Sequence, residues 1–68
     1  MDPYRPNHFD VSAARSCLHQ VNAGTLHVSP AEHDALLLVI KAFGRAGELS
    51  ACVWELAKRA FLKQRGIG

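Results

Sequence analysis

Sixty-eight residues, 49% of them hydrophobic, with a formal net charge of +2, describe one small globular domain rather than a disordered tail or a polycation. A chain this short buries only about 60% of the surface its unfolded form exposes, so dense packing, a cross-link, a metal or a partner must complete its stability. Two cysteines, Cys17 and Cys52, are too few for a secreted disulfide scaffold and are expected to be reduced, as small buried hydrophobes.

The opening residues Met1-Asp2-Pro3-Tyr4-Arg5-Pro6 contain no apolar run and do not read as a signal peptide. The longest unbroken apolar run, Ala35 to Ile40, is six residues, against the ~20 needed to cross a bilayer. The expectation is a cytoplasmic protein with no membrane contact, and the initial Met suggests an autonomous gene product. Residues 1–9 carry two prolines and no periodicity, which predicts an extended arm, with Tyr4 and Phe9 available to pin it to the domain formed by residues 10–68.

Asp10 is a suitable N-cap for a first helix over 10–23, in which Val11, Ala14, Leu18 and Val21 form one stripe. Gly24 suits the left-handed residue that closes a helix. Thr25-Leu26-His27-Val28 is β-prone but too short to support a sheet.

The strongest local signal follows. Ser29-Pro30-Ala31-Glu32 combines an N-cap, a proline where no hydrogen bond is lost, and the acid that completes a capping box. It opens a helix over 30–46 that is apolar on nearly every side and therefore belongs at the centre of a bundle or of an interface. Ala31, Ala35, Leu38 and Ala42 make a small-residue face, and Leu36, Val39, Ile40 and Phe43 make the bulky face beside it. Asp34, Lys41 and Arg45 mark the solvent edge, and Leu38 reads as a central core residue. Gly47 is the preferred stop.

A third helix is expected over 48–65, with Leu49, Val53, Leu56 and Ala60 as its core stripe and Cys52 and Ala57 alongside. Gly66-Ile67-Gly68 should fray. The predicted fold is all-α: a three-helix bundle with a short N-terminal arm and an antiparallel hairpin of the second and third helices.

Chemistry is sparse. His8, His19, His27 and His33 do not combine with Cys17 and Cys52 at zinc-ligand spacings, so no metal and no cofactor are expected. Ser12, Ser16, Ser29 and Ser50 have capping or surface roles, and no G-x-S-x-G turn is present. Cys17 and His19, two apart on a helix, point away from one another and form no dyad. Glu32 and Asp34 sit in a first turn, where the helix dipole already favours acids. A non-enzymatic role follows.

Charge is unevenly spread. Residues 1–55 carry four basic and six acidic side chains, whereas 56–68 carry Lys58, Arg59, Lys63 and Arg65 and no acid. Cations there oppose the helix dipole. Trp54, Lys58, Phe61 and Arg65 recur at i, i+4, i+7 and i+11, with Leu62 on their flank, on a face distinct from the core stripe. These five residues are the expected partner-binding site, because Trp, Phe and Arg anchor interfaces. The alternative for Trp54 and Phe61 is to fill the groove between the first and third helices. Leu36, Ile40 and Phe43 are the expected self-association face of a homodimer, since three helices do not easily cover both sides of the second.

Nucleic acid is the rival partner. The segment Val28 through Leu38 resembles the scaffold helix that opens several bacterial helix-turn-helix domains, over about a dozen residues. No compact polar recognition helix follows Gly47, and four clustered cations fall short of the ~6–10 phosphate contacts of strong binders. The favoured reading is a protein–protein interaction module that inhibits or adapts a larger protein, of the sort mobile elements encode. The alternative is a small helix-turn-helix-like DNA-binding regulator.

Overall fold

The computed structural model describes residues 4–45 and 47–66. They form three helices, α1 (His8–Ala23), α2 (Pro30–Gly44) and α3 (Ala51–Gln64), in a small all-α bundle. Glu32 at the start of α2 meets Lys63 at the end of α3, so these two helices run antiparallel. Cys17 of α1 lies against Ala60 and Gln64 of α3, and residues at the start of α1 line a groove with the end of α2. The topology is up–down–up.

Each helix begins where a side chain can accept an orphan backbone N–H. Asn7, not Asp10, caps α1, and its Oδ1 accepts from the Asp10 N–H at 3.0 Å while Asp10 Oδ2 accepts from the Asn7 N–H at 2.9 Å. Asp10 is thus the acid of a capping box, and the helix starts earlier than the sequence suggests, at His8. Gly24 ends α1 at φ 81°, a left-handed conformation that side-chain-bearing residues rarely adopt. Ser29 and Glu32 form the capping box of α2 as expected, and Ser50 caps α3. Gly44 is the last residue of α2, so the helix stops short of Gly47; the expected end at Ala46 lies outside the described residues, as do Ile67 and Gly68.

The core is built on small side chains. Ala14, Ala35, Ala57 and Ala60 are essentially inaccessible and let the three helices approach closely, while Val11, Cys17, Leu26, Leu36, Val39 and Leu49 supply bulk. Two expectations about α2 need correction. Leu38 is 41% exposed and is not a central core residue. Leu36 is fully buried inside the single chain, so it offers nothing to self-association. The reason is angular: the inward stripe is Glu32, Ala35, Leu36 and Val39, and Leu38 stands about 100° from Val39. On α3 the inward positions are Ala57 and Ala60 rather than Leu56, which is half-buried, and Cys52 is exposed.

The arm is tied down by Tyr4, while Phe9 is 70% exposed and pins nothing. Tyr4 and Leu49 exchange both backbone hydrogen bonds, at 2.9 and 2.7 Å, in an isolated antiparallel bridge. Pro6 is buried beside it. The Tyr4 ring stacks on Trp54 with centroids 4.1 Å apart, and its hydroxyl donates to Asp10 at 2.7 Å.

Candidate interaction surface

The aromatic and basic stripe of α3 divides in the structure. Trp54 is half-buried under Tyr4, and Phe61 meets it edge-on at 6.0 Å. Both aromatics are therefore engaged by the chain's own arm and core, close to the groove-filling alternative. Lys58 pairs with Glu55 at 2.8 Å and lies 6.0 Å from the Trp54 ring centroid. Leu62 points outward at 43% exposure, and Arg65 is the exposed cap of the helix. The five residues do not make one continuous apolar face.

Lys63 leaves the basic cluster altogether. Its Nζ donates to Glu32 Oε1 at 2.6 Å, where the Ser29 N–H also donates at 2.8 Å. The Lys63 ammonium, with help from that backbone donor, holds the buried Glu32 carboxyl below the usual carboxylate range. Glu32 therefore both closes the α2 capping box and clamps α2 to α3. The cap was legible in sequence, but the cross-helix cation 31 residues away was not.

Few groups suit catalysis. Burial pushes the Cys17 thiol up, and its Sγ is held 3.3 Å from Gln64 Oε1, while Gln64 Nε2 donates to Ser16 Oγ at 2.6 Å. A buried thiol with a raised pKa is a poor nucleophile. The Tyr4 hydroxyl titrates above its ordinary value because it donates to the Asp10 carboxylate. Among the described residues no group of three or more His, Cys, Asp or Glu side chains is placed to hold a metal ion, and no helix is long and apolar enough to cross a membrane.

The feature that stands out is the end of the bundle where α2 finishes. Phe43 belongs by angle to the inward stripe but lies where the neighbouring helices no longer cover it, and it is 46% exposed. On one side of it runs an open groove of about 480 Å³, walled by His8, Val11 and Arg15 of α1 and by Ile40 of α2. On the other side a hollow of about 250 Å³ is lined by Arg5, Pro6, Ala42 and Gly47. Ala42 and Gly47 continue into a third hollow of about 230 Å³ that reaches Leu38, Lys41, Arg45 and Leu49. Arg15 lines the first of these hollows, Arg5 the second, and Lys41, Arg45 and Glu48 the third. Of the two remaining residues of the expected self-association face, Phe43 is exposed at the centre of this surface and Ile40 is half-buried in its wall.

Sequence reasoning assigned Ile40 and Phe43 to self-association and gave no place to Arg15, which comes from α1 and reaches this groove only through the antiparallel packing of α1 on α2. Comparison with protein-family models, with curated proteins and with solved structures gives no match.

Proposed function

We propose that this chain is a non-enzymatic protein-binding module that modulates a larger partner, and that it binds through the Phe43 end of the bundle rather than through the α3 stripe. The observation that carries the reading is a half-exposed phenylalanine between two hollows, one lined by Val11, Ile40 and Arg15 and the other by Pro6, Ala42 and Arg5. Aromatic anchors surrounded by a polar rim are the usual make-up of an interface centre. Trp54 and Phe61 support the surface from behind: through Tyr4 and Leu49 they fix the arm that carries Arg5 and Pro6.

The test compares wild-type bait with Phe43→Glu and, separately, with a Lys58→Glu, Arg65→Glu double variant, each first shown to be folded by circular dichroism. A stoichiometric protein recovered by wild type, resistant to nuclease, lost with Phe43→Glu and kept by the double variant is the expected result. Recovery unchanged by Phe43→Glu refutes the placement of the site. Nuclease-sensitive recovery refutes the protein-binding class in favour of DNA binding.

A further inference from the structure

The arm is seated on the bundle through chemistry that any extended segment of the right composition supplies. The Leu49 N–H donates to the Tyr4 carbonyl and the Tyr4 N–H to the Leu49 carbonyl, and neither bond depends on side-chain identity. The Tyr4 ring lies face to face on Trp54, with the ring planes 15° apart, and its hydroxyl reaches Asp10. Arg5 donates to Glu48 Oε1 from Nε at 3.3 Å and from Nη2 at 3.2 Å. The seat therefore recognises an extended backbone, an aromatic ring bearing a hydroxyl, and a cation on the next residue.

This seat does not need the arm for its own shape. The Leu49 side chain is buried in the core, and Ser50 beside it caps α3, where its carbonyl accepts from the Trp54 N–H. Asp10 Oδ2 also accepts from the Asn7 N–H, so the capping box of α1 survives when the Tyr4 hydroxyl leaves. The arm's own hold is modest by comparison. A single isolated bridge stands in place of a ladder, and of residues 4–7 only Pro6 is buried. The Arg5 and Glu48 side chains are 75% and 44% exposed, and an ion pair so open to solvent adds little. Contacts this few and this exposed open locally while the bundle stays folded.

We propose that residues 4–6 are a displaceable strap, and that the seat they fill on Leu49 and Trp54 is a binding site for an extended peptide segment carrying tyrosine followed by a basic residue. The ligand class follows from the segment that occupies the site in the structure, Tyr4-Arg5-Pro6. A ligand in trans competes with the strap in cis, so the intact chain holds this site closed. The site goes beyond the reading above. The two are joined through Arg5 and Pro6, which also wall the hollow beside Phe43, so displacing the strap alters that hollow.

The probe is a synthetic peptide with the sequence of residues 1–7, added to the full chain carrying Tyr4→Ala, which takes the arm's ring off Trp54. In NMR spectra of that variant the peptide should shift the amides of Glu48 and Leu49 and the indole N–H of Trp54. Wild type, whose own arm competes, should bind the peptide at least about tenfold more weakly. A peptide with alanine in place of the tyrosine should leave these signals where they are. Hydrogen exchange of wild type alone gives an independent measure. The Leu49 N–H, held by Tyr4, should exchange with solvent at least about tenfold faster than that of Val39 in the core of α2. Equal affinity for variant and wild type, no binding by the folded variant, binding indifferent to the tyrosine, or equal exchange at Leu49 and Val39 each overturn the proposal. A Tyr4→Ala chain that fails to fold overturns it as well, since the arm is then part of the bundle. So does a concentration-dependent dimer abolished by Tyr4→Ala, which assigns the seat to the arm of a second copy.

Discussion

Replacing Glu32 by Gln removes a charge from the interior while leaving the side chain's shape almost unchanged. The amide oxygen still accepts from the Ser29 N–H, so the cap survives, but the contact with Lys63 loses its anionic partner. Hydrogen bonds to charged groups contribute about 1.5–3 kcal/mol. The Lys63 side chain is 41% exposed while that of Glu32 is 5% exposed, so solvent weakens the pair and about 1–2 kcal/mol is the expected loss at neutral pH. For a domain of this size that corresponds to a fall in Tm of roughly 4–16 °C. The effect is pH-dependent in a defined direction. The folded-state pKa of Glu32 lies below its ordinary value of 4.5, so its contribution is complete above pH 4.5 and is lost as pH falls through the depressed value. Urea unfolding of wild type and Glu32→Gln at pH 7 and at successive pH values below 4.5 tests this. The two curves should be separated at pH 7 and converge in acid. Equal stability at pH 7, or a gap that persists after the carboxyl is protonated, refutes the assignment of Glu32 and Lys63 as a clamp between α2 and α3.

Other perturbations separate neighbours that look alike in sequence. Leu36→Ala should cost about 2–5 kcal/mol, a large share of so small a domain's stability, whereas Leu38→Ala should cost less than about 1 kcal/mol; chemical denaturation of both variants reads the difference. Tyr4→Ala should red-shift Trp54 fluorescence by uncovering the indole, and Tyr4→Phe, which keeps the stack, should not. Because donation to Asp10 raises the Tyr4 pKa above 10.0, the hydroxyl's contribution should be intact below pH 10 and fade as pH rises through the raised value. In the native protein a thiol reagent should modify the exposed Cys52 rapidly and Cys17 only on unfolding, as mass spectrometry of the labelled peptides will show.

The helices were legible in sequence because their signals are local. Ser29, Pro30 and Glu32 mark a start within four residues, and Gly24 marks a stop by its backbone freedom alone. The inward face of α2 was harder to read because Glu32, a charged residue, occupies its first position, and an all-round apolar helix makes Leu38 look as buried as Val39. On α3 the small Ala57 faces inward and the larger Leu56 lies to the side, an order that size alone does not reveal. The arm's role was only half visible: Tyr4 was expected to pin it, but its stack on Trp54 joins residues 50 positions apart and diverts the indole from the surface. Partners also redraw the charge pattern: Lys58 pairs with Glu55 one turn away on the same helix, and Lys63 leaves the C-terminal basic cluster for Glu32, 31 residues away. The surface around Phe43 draws on α1, α2 and the arm, so no local window of sequence contains it.

The most direct test of the central claim is cross-saturation NMR on the labelled chain in complex with the protein it captures. The account predicts that saturation transferred from the partner reaches the amides of Val11, Arg15, Ile40 and Phe43 and spares those around Leu62 and Arg65. Transfer centred on Leu62 and Arg65, with the Phe43 end silent, would contradict it.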